Sequence, residues 1–121
     1  MKKVVLAGVF SAQLFGNALA EDSKIESAHI ASPKHYKLLL ENEEVIVLKM
    51  TLKPGEQDNW HKHNAETVYF EKGGKATITT SEKDMTLEIP NGYVMWHDQW
   101  EHQVKNVGDT TITAIIVEKR K

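Results

Sequence analysis

The stretch GEQDNWHKHNAETVYFEKG, residues 55–73, decides how the rest of the chain is read. It runs from glycine to glycine, with His61-Lys62-His63 at its centre and Glu66 shortly after. In an extended strand successive side chains point to opposite faces. Lys62 has to reach water, so His61 and His63 point the other way, into the domain, about 6.6 Å apart at Cα for a rise of ~3.3 Å per residue. Along 66–70 the same alternation puts Glu66 with Val68 and Phe70 on the apolar face and Thr67 with Tyr69 on the other. A carboxylate on a core face is costly unless a positive group meets it.

Outward from this stretch the pattern repeats. Short alternating or β-branched runs recur about every ten positions at 36–40, 44–52, 60–63, 66–70, 75–80, 84–89, 93–97, 102–106 and 111–117. Between them lie Glu-Asn-Glu, Lys-Pro-Gly, Lys-Gly-Gly, Ser-Glu-Lys-Asp, Pro-Asn-Gly and Val-Gly-Asp, all suited to tight turns. This spacing predicts an all-β sandwich or barrel, with no long amphipathic helix. Run 84–89 is expected to bury Met85, Leu87 and Ile89 and to expose Asp84, Thr86 and Glu88. Run 102–106 is expected to turn His102 and Val104 inward and Gln103 and Lys105 outward. Three inward histidines and one inward carboxylate suggest a nitrogen and oxygen metal site.

Composition narrows the chemistry. Cysteine is absent, which excludes disulfides, thiolate metal sites and a cysteine nucleophile. The 121 residues allow one small domain, and 15 Lys+Arg against 17 Asp+Glu give net −2, without the basic excess that phosphate backbones require. Nucleic acid is not an expected partner. Residues 1–20, MKKVVLAGVFSAQLFGNALA, carry Lys2 and Lys3, an apolar run and an Ala18-Leu19-Ala20 cleavage signature, as a secretory signal peptide does. Ser11, Gln13 and Asn17 interrupt the run short of the ~20 apolar residues that a span needs. Export to the periplasm or medium is therefore expected, with no membrane attachment after cleavage. Residues 21–35 are polar and aperiodic, a loose arm that orders only by packing on something else. Residues 36–121 form the β domain.

Residues 55–73 resemble the first motif of the cupin superfamily, G-x5-H-x-H-x(3,4)-E-x6-G, with two residues rather than three or four between His63 and Glu66. Residues 92–106, GYVMWHDQWEHQVKN, resemble the second, G-x5-P-x-G-x2-H-x3-N. There Asp98 stands for the proline and Trp100 for the glycine, and the approach to His102 is one residue short. The resemblance covers roughly 36–117 and is closest to small single-domain bacterial cupins. It implies a cupin β-barrel, the double-stranded β-helix or jelly roll, and a homodimer. It also implies that His61, His63, Glu66 and His102 correspond to the family's metal ligands, while Asn106 matches a structural position.

A lone His-x-His on a strand is more often solvent-facing than metal-bound. With both glycines, the acid and a third histidine added, the competing explanation is a hydrogen-bonded core cluster. His97 is expected at a pocket rim or on the surface, and His29 and His35 as ordinary exposed side chains. Trp60, Trp96, Trp100, Tyr69 and Tyr93 are expected in core or rim packing, one or two of them lining a pocket. The shortened loop makes Glu66 either the fourth ligand or a partner of metal-bound water. A kink at Asn64-Ala65 would have to reset the alternation. Glu71, on the Thr67 and Tyr69 face, is the substitute to test against it. A divalent ion (Mn, Fe, Co, Ni or Zn) on three imidazoles and a carboxylate keeps positions open for water, dioxygen or a chelating ligand. The expected function is a metal-dependent enzyme of dioxygenase, isomerase or lyase type on a small organic acid, phenol or sugar derivative. The alternative is a non-catalytic module that binds a small ligand or metal. Glu66, Tyr69 and His97 are the candidate proton handlers.

Overall fold

The computed structural model describes residues 25–121, so the expected signal peptide lies outside the described residues. A four-residue helix, α1 (Ala28–Ala31), is followed by nine strands: β1 (Tyr36–Glu41), β2 (Val45–Leu52), β3 (His61–His63), β4 (Glu66–Lys72), β5 (Gly74–Thr79), β6 (Asp84–Ile89), β7 (Val94–His97), β8 (Trp100–Asn106) and β9 (Ile112–Lys119). Each run read from alternation is a strand, with ends moved by two residues at most. The strands form a five-stranded sheet, β1-β2-β9-β4-β7, and a four-stranded sheet, β3-β8-β5-β6, antiparallel throughout. This is the jelly-roll, double-stranded β-helix architecture.

The core lies between the sheets because alternation gives each one an apolar inner face. Ile46, Leu48, Met50 and Leu52 of β2 and Ile112, Ala114 and Ile116 of β9 are buried against Ala76, Ile78 and Val104 of the smaller sheet. Each fully buried Leu or Ile contributes roughly 1.5–3 kcal/mol. Gly73 is required because a Cβ there would collide with the carbonyl oxygen of Ile89. Gly92 closes the Pro90-Asn91-Gly92 turn at φ 80°, a conformation that side chains disfavour.

Strand β6 departs from expectation. Leu87 is 42% exposed and Met85 and Ile89 are only partly buried. As the outer strand of its sheet, with β5 as its one neighbour, β6 carries its inward face to the margin of the core. Tyr69, Tyr93 and Trp96 are likewise exposed rather than packed. The end of the arm is tied to the barrel: Ser27 bridges to Lys62, Ala28 is fully buried, and Asn59 donates to the Ala31 carbonyl. His29 and His35 are half-buried in consequence, not exposed. Among the described residues no helix is long and apolar enough to cross a membrane.

One crossing positions the site. Strand β3 belongs to the four-stranded sheet and β4 to the five-stranded one, so Asn64-Ala65 is where the chain changes sheets. Asn64 Nδ2 donates to the carbonyls of Lys119 and Arg120, which pins the crossing to the end of β9. The change of sheet resets the parity, and both His63 and Glu66 face inward.

Candidate metal centre

His61 and His63 come from β3 and His102 from β8, where His61 and His102 are direct cross-strand partners. All three are buried. Their ring centroids lie 4.7 to 5.1 Å apart with the planes nearly perpendicular. The His61 Nδ1–H donates to the Asn59 carbonyl at 2.6 Å, and the His63 Nδ1–H to Glu118 Oε2 at 2.6 Å. With Glu118 ionised both Nε2 atoms are bare lone pairs, yet they approach to 3.0 Å; a protonated Glu118 would instead donate to His63 Nδ1 and leave a proton on His63 Nε2 for that contact. A neutral imidazole with its proton on Nδ1 has nothing to donate at Nε2. Either that proton or a cation between the two nitrogens satisfies the contact. Burial also holds the His63 imidazolium well below its usual range and pushes His102 down to about 2, so protonation is a poor remedy. Both His102 ring nitrogens are buried and have no hydrogen-bond partner among the described residues.

These observations fit a metal ion. Two nitrogens at about 2.1 Å from one ion and roughly 90° apart lie about 3.0 Å from each other, whereas a tetrahedral angle would separate them by about 3.4 Å. The observed 3.0 Å matches neighbouring positions of a six-coordinate ion.

The carboxylates stand on the far side of His63. Glu66, the first residue of β4, is buried; its Oε2 accepts the Trp100 indole N–H at 2.6 Å, and its Oε1 has no partner and lies 3.4 Å from His63 Nδ1. It therefore groups with His63 and Glu118, while His61, His63 and His102 form a separate group. Burial raises the Glu66 carboxyl to about 8, against the pull of the Trp100 hydrogen bond and with a further push from Glu118. Glu118 is buried on β9, and its Oε1 accepts the Asn64 backbone N–H at 3.1 Å. Burial raises this carboxyl too, opposed by that hydrogen bond. Glu71 is exposed and pairs with Lys49.

Tyr36 and Asp58 complete the wall. The buried Tyr36 hydroxyl donates to Asp58 Oδ2 at 2.6 Å and lies 3.5 Å from His61 Nε2, while Asp58 Oδ1 accepts the Val104 N–H. Burial, then the Asp58 charge, raises the Tyr36 phenol well above its usual range and keeps it a neutral donor. Burial likewise raises Asp58.

Sequence reasoning missed Tyr36, Asp58 and Glu118. Glu118 had a readable signal, since it continues the inward parity of Ile112, Ala114 and Ile116; a strand ended at Val117 stops one residue short of it. Asn106 is structural: it is buried, and its side-chain amide donates to the carbonyls of Leu52 and Thr110. His97 is half-buried and stacks on Trp100 with ring centres 3.4 Å apart. Tyr69 is exposed on the outer face, away from the histidines.

A cavity of ≈ 50 Å³ adjoins the cluster, with His63, Glu66, Trp100 and His102 along one side and aliphatic side chains such as Met50 and Ile78 along the other. Among the described residues no lysine or arginine lines it. Outside, an open groove of ≈ 740 Å³ runs between the turn at 80–85 and residues 97–101.

No family model matches the chain. It is 26% identical over 116 residues to the oxalate-binding protein of Thermotoga maritima, an alignment that spans 94% of this chain and 91% of that protein. In fold it is similar to a cupin-domain protein of Bordetella pertussis (TM-score 0.66, 24% identity, 81% of this chain and 98% of that one). It is also similar to an RmlC-like cupin of Methanocaldococcus jannaschii with the double-stranded β-helix fold (TM-score 0.57, 18% identity, 69% and 77%).

Proposed function

We propose that this chain, a cupin, binds one divalent transition-metal ion on His61, His63 and His102 and uses it to hold a small organic acid that chelates through oxygen. The single observation that carries this is the convergence of three buried imidazoles, with His61 and His63 Nε2 3.0 Å apart and both His102 ring nitrogens without a hydrogen-bond partner among the described residues. Such an ion would supply Lewis acidity and positions open to oxygen donors. Six-coordinate Mn, Fe, Co or Ni suits the spacing better than tetrahedral Zn.

The surrounding residues have separable tasks. The Asn59 carbonyl and the Glu118 carboxyl fix the tautomers and ring planes of His61 and His63, as hydrogen-bond partners of ligating histidines do. Tyr36 forms part of the pocket wall, and Trp100 stands between the pocket and the outer groove. With no lysine or arginine among the described residues of the cavity wall, a carboxylate ligand would depend on the ion for its countercharge. The oxalate-binding relative favours an acid of about two carbons.

Glu66 divides two versions of this function. As an enzyme, the protein would use the Glu66 carboxyl, held near neutrality beside the cluster, as fourth ligand or proton carrier. As a binder, it would need the cavity alone, and the name of the Thermotoga relative favours this version. Calorimetry with oxalate tests the shared claim: metal-loaded protein should bind it and metal-free protein should not. Substrate loss, present in wild type and absent in Glu66→Gln, would select the enzyme; binding without turnover would select the module.

Export belongs to the same proposal, on the strength of residues 1–20. Mass spectrometry of the native protein should find cleavage after Ala20, and Met1 retained in it would remove the claim. A homodimer is proposed from the family resemblance, and a monomer in analytical ultracentrifugation would count against it.

A further inference from the structure

Trp100 lines both the interior cavity and the outer groove, and no other described residue does. Its indole is thus the partition between the histidine cluster and solvent. The inner side meets the His102 ring, centres 4.1 Å apart, and the outer side is covered by His97. A glycine, which the second cupin motif carries at this position, would leave no partition. Along the same edge, Nε1–H donates to Glu66 Oε2, so the side chain that closes the cavity also holds the Glu66 carboxyl on the Nδ1 side of His63, outside the His61, His63 and His102 group.

We propose that Trp100 is the door through which a small ligand reaches the histidine cluster, and the latch that keeps Glu66 off that cluster while the door is shut. The inference rests on the function proposed above, in that the cavity takes a ligand. Rotation of the indole about its side-chain bonds moves it into the groove, where there is room, and displaces His97. The same motion removes the one hydrogen bond that Glu66 accepts. A buried carboxyl left without a partner is costly, so the open form is favoured only when an occupant of the cluster gives Glu66 something to bind. Entry and the placement of Glu66 are one event.

Diethyl pyrocarbonate, which acylates neutral imidazole, tests the door in metal-free protein. The rate at His102 is read by peptide mass spectrometry against N-acetylhistidine in the same tube. His102 should react at least 10-fold faster in Trp100→Gly than in wild type, while Trp100→Phe, which keeps a ring in the gap, and Trp96→Gly, on the outer surface, should stay slow. Equal rates in wild type and Trp100→Gly, or an equal rise in Trp96→Gly through general loosening, would overturn the door. The latch is read from Co2+ affinity. Trp100→Phe frees Glu66 and should bind Co2+ at least 10-fold more tightly than wild type, and adding Glu66→Gln should abolish the gain; unchanged affinity in Trp100→Phe would overturn the latch. If wild type takes up no Co2+, the metal function fails and the latch with it, while the acylation ratio still decides the door.

Discussion

Glu66 and Glu118 stand directly opposite each other on β4 and β9, both buried, with Nδ1 of His63 at 2.6 Å from Glu118 and 3.4 Å from Glu66. Two acids facing across a ladder repel if both are ionised. Their tolerance here depends on the imidazole N–H between them and on Glu66 retaining its proton in the metal-free protein.

That arrangement makes Glu118 the support of His63. Glu118→Gln replaces a charge-assisted acceptor by a neutral amide and loosens the ring that it orients. Metal affinity should fall about 10- to 100-fold, measured by competition with a chromophoric chelator. Affinity equal to wild type would show that His63 is oriented by other contacts.

The pH dependence of metal-free stability follows from the same groups. Below about 6.5 the unfolded chain protonates histidines that burial keeps neutral in the fold, a contribution that rises with pH and is opposed above about 4.5 by the raised carboxyls. The unfolded Glu66 is ionised above about 4.5 while the folded one holds its proton up to about 8, so once the histidine contribution ends near 6.5 stability falls as pH rises. Asp58 and Glu118 are raised and act in the same direction. Thermal unfolding should show a decline between pH 6.5 and 8, bounded by about 1.4 kcal/mol per pH unit for each group, and Glu66→Gln should flatten it. A Tm that rises through this window would contradict the assignment.

Leu48 is fully buried on β2 between the partners β1 and β9. Leu48→Ala should cost about 2–5 kcal/mol in denaturant unfolding, from lost transfer and the cavity left behind. A change under about 1 kcal/mol would mean that the two-sheet core is not the main source of stability.

Much of this was legible in the sequence because alternation is a direct consequence of strand geometry. Lys62 between two histidines, and Gln103 beside His102, reveal which way each imidazole points without any knowledge of the partner strand. What alternation does not reveal is what covers a face. Met85, Leu87 and Ile89 therefore read as buried, although β6 is an edge strand at the margin of the core. Nor does it reveal long-range pairing. Glu118 near the chain end reads as a solvated acid until β9 is laid beside β4 and the crossing at Asn64, and Tyr36 is silent until its hydroxyl meets Asp58. The shortened spacing to Glu66 was readable as a parity break at Asn64-Ala65, but its origin in a change of sheet was not.

Elemental analysis of the purified protein, after equilibration with Mn, Fe, Co or Ni and removal of free ion, tests the metal centre most directly. One equivalent per chain is predicted, falling to background in a folded His61→Ala, His63→Ala double variant. A folded wild-type protein that takes up none of these ions, or a double variant that retains a full equivalent, would contradict it.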